Sequence, residues 1–106
     1  MRIASGIRGE DVKAGDGAVA ERGCLVTVRW QCKLNRGEVV SESTSSFRIG
    51  KREVIAGLER GVIGMRVGGI RRLRISPHLA YRDQPVPGIP ANSVLDFEVE
   101  MLEVLD

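Results

Sequence analysis

The stretch GKREVIAGLERG, residues 50–61, decides how the fold of this chain is interpreted. Its apolar residues Val54, Ile55 and Leu58 recur at helical spacing and form one face of a predicted helix. Glycine in a helix interior costs about 1 kcal/mol relative to alanine, so Gly57 makes this helix weak in isolation. The stretch therefore raises two questions: why the chain keeps a short, glycine-weakened helix, and what its apolar face contacts.

The composition of the chain limits the classes of protein to which it can belong. It has 106 residues, enough for a single domain, expected over 1–106, with one modest core. Its 16 Lys and Arg residues against 14 Asp and Glu leave a net charge of +2, too close to neutral to indicate nucleic acid as a partner. Apolar runs are short, so we expect no membrane span, and residues 1–12 lack the apolar stretch of a secretion signal. We expect a cytoplasmic monomer, although a piece cut from a longer secreted chain would look the same.

Cys24 and Cys32 lie at the two ends of a predicted strand. Alternation places Val26, Val28 and Trp30 on one face of this strand. Eight residues of strand span roughly 26 Å, far beyond the ~7 Å between Cα atoms that a disulfide tolerates. The cysteines are therefore predicted to be reduced, structural thiols.

Further alternating segments predict an α+β fold with about five strands. Residues 35–37, NRG, close a hairpin between the Trp30 strand and two extended pieces at 38–43 and 45–50. Two later strands carry apolar side chains on one face and charged side chains on the other, which is typical of an antiparallel sheet with one solvated face. The inward residues are Leu73 and Ile75 on the first and Leu95, Phe97, Val99 and Met101 on the second. A single short helix can cover the concave side of such a sheet.

The charged side chains of these two strands have a structural explanation. Arg72 and Arg74 would face Asp96, Glu98 and Glu100 if the two strands are neighbours, and opposite charges across strands stabilise a sheet. A solvated charge ladder is therefore favoured over binding of nucleic acid by these arginines.

Residues for nucleophilic, metal or cofactor chemistry do not form the usual patterns. His78 is the only histidine, so the chain offers no histidine metal cluster. No serine lies in a G-x-S-x-G elbow, and Gly50-Lys51 lacks the upstream glycine of a phosphate-binding loop. An enzyme with this sequence needs a reaction without nucleophile, metal or cofactor. Rotation about an X–Pro bond meets that condition, since a dry apolar pocket can favour the twisted amide.

Four segments resemble the FKBP-type peptidyl-prolyl isomerases, in the same order along the chain. They are GDGAVAERG at 15–23, GKREVIAGLERGVIGMRVGG at 50–69, LRISPHLAYRD at 73–83 and VPGIPANSVLDFEVEML at 86–102. The similarity runs from about Ser5 to the C-terminus and is typical of short bacterial members. It implies a twisted antiparallel sheet wrapped around one short α-helix, which is short because it only fills the concave face.

The same resemblance implies a site in which the proline ring of a ligand rests at the start of the helix. The backbone N–H of Ile55 and the hydroxyl of Tyr81 are expected to donate hydrogen bonds to the ligand. With Ser41 they form the predicted catalytic set. The predicted substrate-binding residues are Trp30, Val40, Val54, Ile55, Leu58, Tyr81, Ile89 and Phe97.

Departures from the family pattern are expected to weaken the activity. Val40 stands where the family has phenylalanine, Ser41 where it has aspartate, and Trp30 where it has tyrosine. The tyrosine–aspartate pair is thereby lost, and the Trp30 indole with the Ser41 hydroxyl is expected to replace it. Ser45 stands in place of an aromatic residue that often closes the pocket, and Arg82 replaces a common glycine, which is expected to stiffen or reorient its loop.

The resemblance implies a peptidyl-prolyl cis-trans isomerase of reduced activity that accelerates X–Pro rotation in protein substrates. The expected ligands are proline-containing polypeptides and tacrolimus-like macrolides, and no metal or cofactor is needed. The alternative, from a different functional class, is a catalytically silent module of the same fold that binds proline-containing segments of a partner.

Overall fold

Six strands, one more than expected, form a single antiparallel sheet in the computed structural model, which describes residues 2–84 and 86–106. In chain order the strands are β1 (Arg2–Ala4), β2 (Ile7–Lys13), β3 (Leu25–Leu34), β4 (Val39–Arg48), β5 (Ile70–Ile75) and β6 (Leu95–Leu105). The helix α1 (Ala56–Gly61) lies between β4 and β5, and a 3-10 turn (Pro77–Leu79) follows β5. Across the sheet the order is β1-β2-β5-β6-β3-β4.

The strands that the sequence analysis did not identify are β1 and β2. In β2 only Ile7 and Gly9 are buried, and its last four residues are exposed. Such a segment carries too few apolar residues for alternation to mark it as a strand. The two extended pieces expected at 38–43 and 45–50 instead form one continuous strand, β4, which pairs with β3.

The inward and outward faces of the other strands were predicted correctly. The inward residues of β5 and β6 are at most 6% exposed, and the β3 residues Val26 and Val28 are fully buried. Cys24 and Cys32 are unpaired, as expected. These side chains form one core between the concave face of the sheet and α1.

The charge ladder on the outer face is confirmed for two of its three carboxylates. Arg72 Nε lies 3.2 Å from Glu98 Oε1, and Arg74 Nε lies 3.5 Å from Asp96 Oδ1. Glu100 pairs instead with an arginine of β3, because β6 lies between β5 and β3.

Helix α1 is shorter than the stretch 50–61 that predicts it. Ile55 precedes the helix in an extended conformation, with φ −57° and ψ 145°. The segment before it is tied to the helix, since Glu59 accepts a hydrogen bond from the N–H of Gly50 at 2.8 Å. Val54 and Ile55 therefore lie in a loop that leads into the helix.

Two helical glycines, Gly57 and Gly61, face strand β5 at close range. A Cβ atom on Gly61 would lie 2.5 Å from Cδ1 of Leu73, and one on Gly57 would overlap with the side chain of Ile75. Glycine, which has no Cβ atom, allows the helix to approach the sheet this closely. The chain keeps a helix of low intrinsic propensity because its glycines allow that packing.

Candidate functional site

Seven of the eight predicted substrate-binding residues belong to the hydrophobic core or pack against it. Leu58, Ile89 and Phe97 are 4%, 7% and 6% exposed, whereas Tyr81 is 37% exposed. The partly buried residues that pack against the core are Trp30, Val40, Val54 and Ile55. The predicted substrate-binding side chains other than Tyr81 therefore lie in the core or at its boundary.

Trp30 makes two specific contacts on the concave face. Its ring lies 5.7 Å from that of Phe97, centroid to centroid, with an interplanar angle of 57°. Aromatic pairs at this separation contribute about 0.5–1.5 kcal/mol beyond their burial. The indole N–H of Trp30 donates to Oγ of Ser45 at 3.0 Å, which fixes the orientation of the ring.

The hydrogen bond of Trp30 corrects the expectation that Ser41 is its partner. Ser41 lies opposite Cys32 next to a register shift between β3 and β4, and it is exposed. Ser45 lies opposite Val28, two residues along β3 from Trp30. Alternation places both serines on the same face as Trp30, so the sequence pattern is compatible with either as the hydrogen-bond partner. The long indole side chain leans along its strand and reaches Ser45.

Ile55, whose N–H is predicted to be a ligand donor, lies immediately before the first residue of α1. Its carbonyl accepts hydrogen bonds from the N–H groups of Leu58 and Glu59, both at 3.1 Å. Its own N–H has no acceptor among the described residues. This agrees with the rule that the first N–H groups of a helix have no partner within it.

The loop that carries Tyr81 is held by the next residue, Arg82. The N–H of Arg82 donates to the carbonyl of Pro77 at 2.9 Å, and its carbonyl accepts from the N–H of Asn92 at 2.6 Å. Its Nε donates to the carbonyl of His78 at 3.2 Å. Arg82 has φ of 54°, a left-handed conformation that is uncommon outside glycine, and these bonds maintain it.

The turn around Ile89 is held by backbone hydrogen bonds and lies near strand β4. Val86 and Ile89 exchange backbone hydrogen bonds of 3.2 and 2.9 Å. A Cβ atom on Gly88 would lie 3.8 Å from Cβ of Val40. The turn and the edge strand β4 are therefore in contact at Val40.

Arg71, which the sequence analysis did not consider, is a buried charge beneath the helix. It is 6% exposed, and its Nε lies 2.6 Å from Oδ1 of Asp11. Its Nη1 donates to the carbonyls of Gly61 and Ile63, at 2.9 and 3.1 Å. The alternation that places Leu73 inward also places Arg71 inward, so the signal was present in the sequence. Arg71 joins the end of α1 to strand β2.

Cys32 is a buried thiol on the concave face, 2% exposed and opposite Phe97. Burial, and to a lesser extent the negative charge of Asp96, raises the pKa of this thiol to about 11. Nucleophilic attack requires the thiolate, so this burial lowers the reactivity of Cys32 at neutral pH. Among the described residues no group of three or more His, Cys, Asp or Glu side chains is arranged to hold a metal ion.

Raising the pH from 9 to 11 is expected to weaken the fold through Cys32. The ordinary pKa of the thiol is 9.0 and the folded value is about 11, so in this window the folded state binds one proton more than the unfolded state. The free energy of unfolding therefore falls as the pH rises, by on the order of 2 kcal/mol, and is unaffected by this group below pH 9. Urea denaturation of the wild type and Cys32→Ala at pH 8 and pH 11 measures it. The other titrating groups are common to both proteins, so they cancel when the two free energies of unfolding are subtracted. That difference should be smaller at pH 11 than at pH 8, and an unchanged difference would contradict the prediction.

Comparison with known proteins shows the family to which the chain is similar. Residues 17–102 match the family described as FKBP-type peptidyl-prolyl cis-trans isomerase. FK506-binding protein 4 of Chaetomium thermophilum is 44% identical over 108 residues, and FK506-binding protein 3 of Candida albicans is 43% identical over 106 residues. The alignments cover 98% and 96% of this chain but only 22% and 25% of those proteins. The chain thus spans roughly a quarter of the length of the curated relatives that it matches.

Solved structures agree with the fold described above. FkpA from Escherichia coli superimposes with a TM-score of 0.84 and 35% identity, over 95% of this chain and 49% of that chain. AtFKBP13 superimposes with a TM-score of 0.86 and 34% identity, over 93% of each chain. The sheet around a short helix is therefore the fold of these proteins. No helix in the described part of the chain is long and apolar enough to cross a membrane.

Proposed function

Because the chain belongs to the FKBP-type peptidyl-prolyl cis-trans isomerase family, we propose that it accelerates rotation about X–Pro bonds in polypeptides. The observation that carries this proposal is the unpartnered N–H of Ile55 at the start of α1, beside partly buried apolar side chains. Such a donor can hold a carbonyl of the substrate while the apolar side chains receive the proline ring.

The chemistry needs neither a nucleophile nor a metal. The planar amide is stabilised by resonance, and its rotation barrier is about 18–20 kcal/mol. The twisted amide has lost that resonance and part of its charge separation, so an apolar site that excludes water binds it better than the planar form. In our proposal Ile55 and Tyr81 hold the substrate by hydrogen bonds. Trp30, Leu58 and Phe97 enclose its proline ring.

We further propose proline-containing polypeptides as substrates and tacrolimus-like macrolides as ligands, with the chain acting as a monomer in the cytoplasm. The names of the FK506-binding relatives support the macrolide. Two free cysteines, Cys24 and Cys32, support a reducing compartment. The polar hydroxyl of Ser41 in place of a carboxylate supports weakened activity.

A specific observation also supports the alternative, a silent module that binds proline-containing segments. Ser45 is engaged by the indole of Trp30, and Ser41 makes no side-chain hydrogen bond within the described residues. The site therefore lacks an acidic side chain on β4 at these positions. An isomerisation assay with a proline tetrapeptide separates the two functions. Acceleration supports the enzyme, and saturable binding without acceleration supports the module.

Replacing Ile55 with proline tests the donor directly. Proline fixes φ near −65°, close to the −57° of Ile55, and it removes an N–H that bonds to no described residue. We expect Ile55→Pro to weaken peptide binding by about 0.5–1.5 kcal/mol more than Ile55→Ala, the net contribution of one hydrogen bond. Trp30 is the only tryptophan, so its emission during titration with a proline peptide measures the affinity.

Ile55→Ala is the matched control, since it removes most of the side chain and keeps the N–H. Thermal melting of both variants shows whether either has lost the fold. Equal affinities for the two folded variants would mean that the N–H of Ile55 does not contact the ligand, and the proposed site would then be wrong.

A further inference from the structure

The outer face of the sheet carries a row of arginines that folding alone does not explain. Arg2 of β1 lies directly opposite Arg8 of β2, and Arg8 lies directly opposite Arg74 of β5. All three are exposed, and together they are termed the arginine row. Like charges directly opposite each other destabilise a sheet, so the row opposes the stability of the strands that present it.

Acidic groups neutralise this row at one end only. Asp96 of β6 lies opposite Arg74, at 3.5 Å from its Nε, and Lys33 of β3 lies beyond Asp96. Within residues 2–84 and 86–106, neither Arg2 nor Arg8 makes an ion pair. The line of cross-strand partners from Arg2 to Lys33 thus contains four basic side chains and one carboxylate.

The adjacent row has the opposite charge balance. Glu10, Arg72, Glu98, Gln31 and Glu42 are successive cross-strand partners, so three carboxylates accompany one guanidinium. This acidic row lies two residues along the strands, at about 7 Å. A long polyanion such as a nucleic-acid strand would meet both rows and be repelled by the second. A partner with a local cluster of carboxylates meets the arginine row alone.

A groove of about 380 Å³ lies beside the arginine row. It is lined by all three arginines together with Ser5 and Ser76. A guanidinium presents pairs of N–H donors whose geometry matches a carboxylate, and serine hydroxyls can add further hydrogen bonds. The groove therefore has space and donors for acidic side chains.

We infer that the arginine row is a docking site for polypeptide segments rich in aspartate and glutamate. It is distinct from the proposed proline site, because Leu73 and Ile75, which alternate with Arg74 along β5, point into the core. The two sites lie on opposite faces of the sheet, so an acidic segment can occupy the arginine row while a proline-containing segment occupies the proline site.

Fluorescence anisotropy of a labelled hexaglutamate peptide, titrated with the full chain at low salt, tests this inference. The wild type should bind saturably, and Arg8→Gln should weaken binding at least fivefold. Arg72→Gln is the matched control, since Arg72 is equally an outward arginine but lies outside the arginine row and is paired with Glu98, and it should weaken binding far less than Arg8→Gln does. Arg8→Glu should abolish binding and also raise the melting temperature by about 2–5 °C, because the new carboxylate lies between two arginines.

Three results would overturn the inference. The first is no binding by the wild type, and the second is equal weakening by Arg72→Gln and Arg8→Gln. The third is a single-stranded oligonucleotide of the same charge that binds as tightly as hexaglutamate, which would indicate a general polyanion surface. Isomerase activity should be unchanged in Arg8→Gln, so failure of this site leaves the proposed function standing.

Discussion

Replacing Arg71 with methionine is expected to lower the free energy of unfolding by about 2–4 kcal/mol, mainly through two carbonyls that lose their donor. The guanidinium is buried, pairs with Asp11 and donates to the carbonyls of Gly61 and Ile63. Methionine keeps much of the side-chain volume, so the loss is polar rather than steric. It leaves two carbonyls at the end of α1 without their donor, and each buried polar group without a partner costs about 1–3 kcal/mol.

The neighbouring Arg72 provides the control for this prediction. Its side chain is 62% exposed and pairs with a carboxylate that is itself 48% exposed, and exposed ion pairs contribute about 0–1 kcal/mol. Urea denaturation of Arg71→Met and Arg72→Met should therefore give very different midpoints. Similar midpoints would show that Arg71 does not hold the helix to β2.

Replacing Gly57 with alanine should destabilise the chain by about 3 kcal/mol, near the upper limit for an overpacked core. In an exposed helix the same change would stabilise the protein by about 1 kcal/mol. Helix propensity and packing against the sheet therefore predict stability changes of opposite sign. The added methyl group would overlap with Ile75, which is fully buried. Because Ile75 branches at Cβ, it has few rotamers with which to move aside.

Arg60→Ala is the control for Gly57→Ala. Arg60 is exposed on the same helix, and alanine there should change stability by less than about 0.5 kcal/mol. Thermal or urea denaturation of both variants gives the comparison. A Gly57→Ala variant as stable as the wild type would show that the helix can retreat from the sheet without cost.

Alternation predicted the faces of β3, β5 and β6 because the side chains that each strand buries on one face are mostly apolar. The same rule missed β2, whose inward face consists of Ile7 and Gly9. Alternation also places Arg71 inward, but its partners, Asp11 and the end of α1, are brought to it only by the fold.

The site was predicted by resemblance rather than by any pattern in the chain. Its residues lie at the core boundary, but their roles in binding remain predictions. Strand periodicity identifies Ser41 and Ser45 as sharing the face of Trp30, and cannot choose between them. The choice depends on how far the indole reaches along β3, which is a property of the side chain's direction.

Arg82 has a consequence for the thermodynamics of any ligand at this site. A non-glycine residue in the left-handed region costs about 1–3 kcal/mol, and the three hydrogen bonds of Arg82 maintain it there. The backbone at Arg82, next to Tyr81, is therefore already fixed on folding, before a ligand arrives. Ordering a loop during association reduces affinity, and here that entropic penalty is already part of the stability of the protein. Glycine at position 82 would relax the backbone, and the entropic cost of ordering it would then reduce the affinity for the ligand.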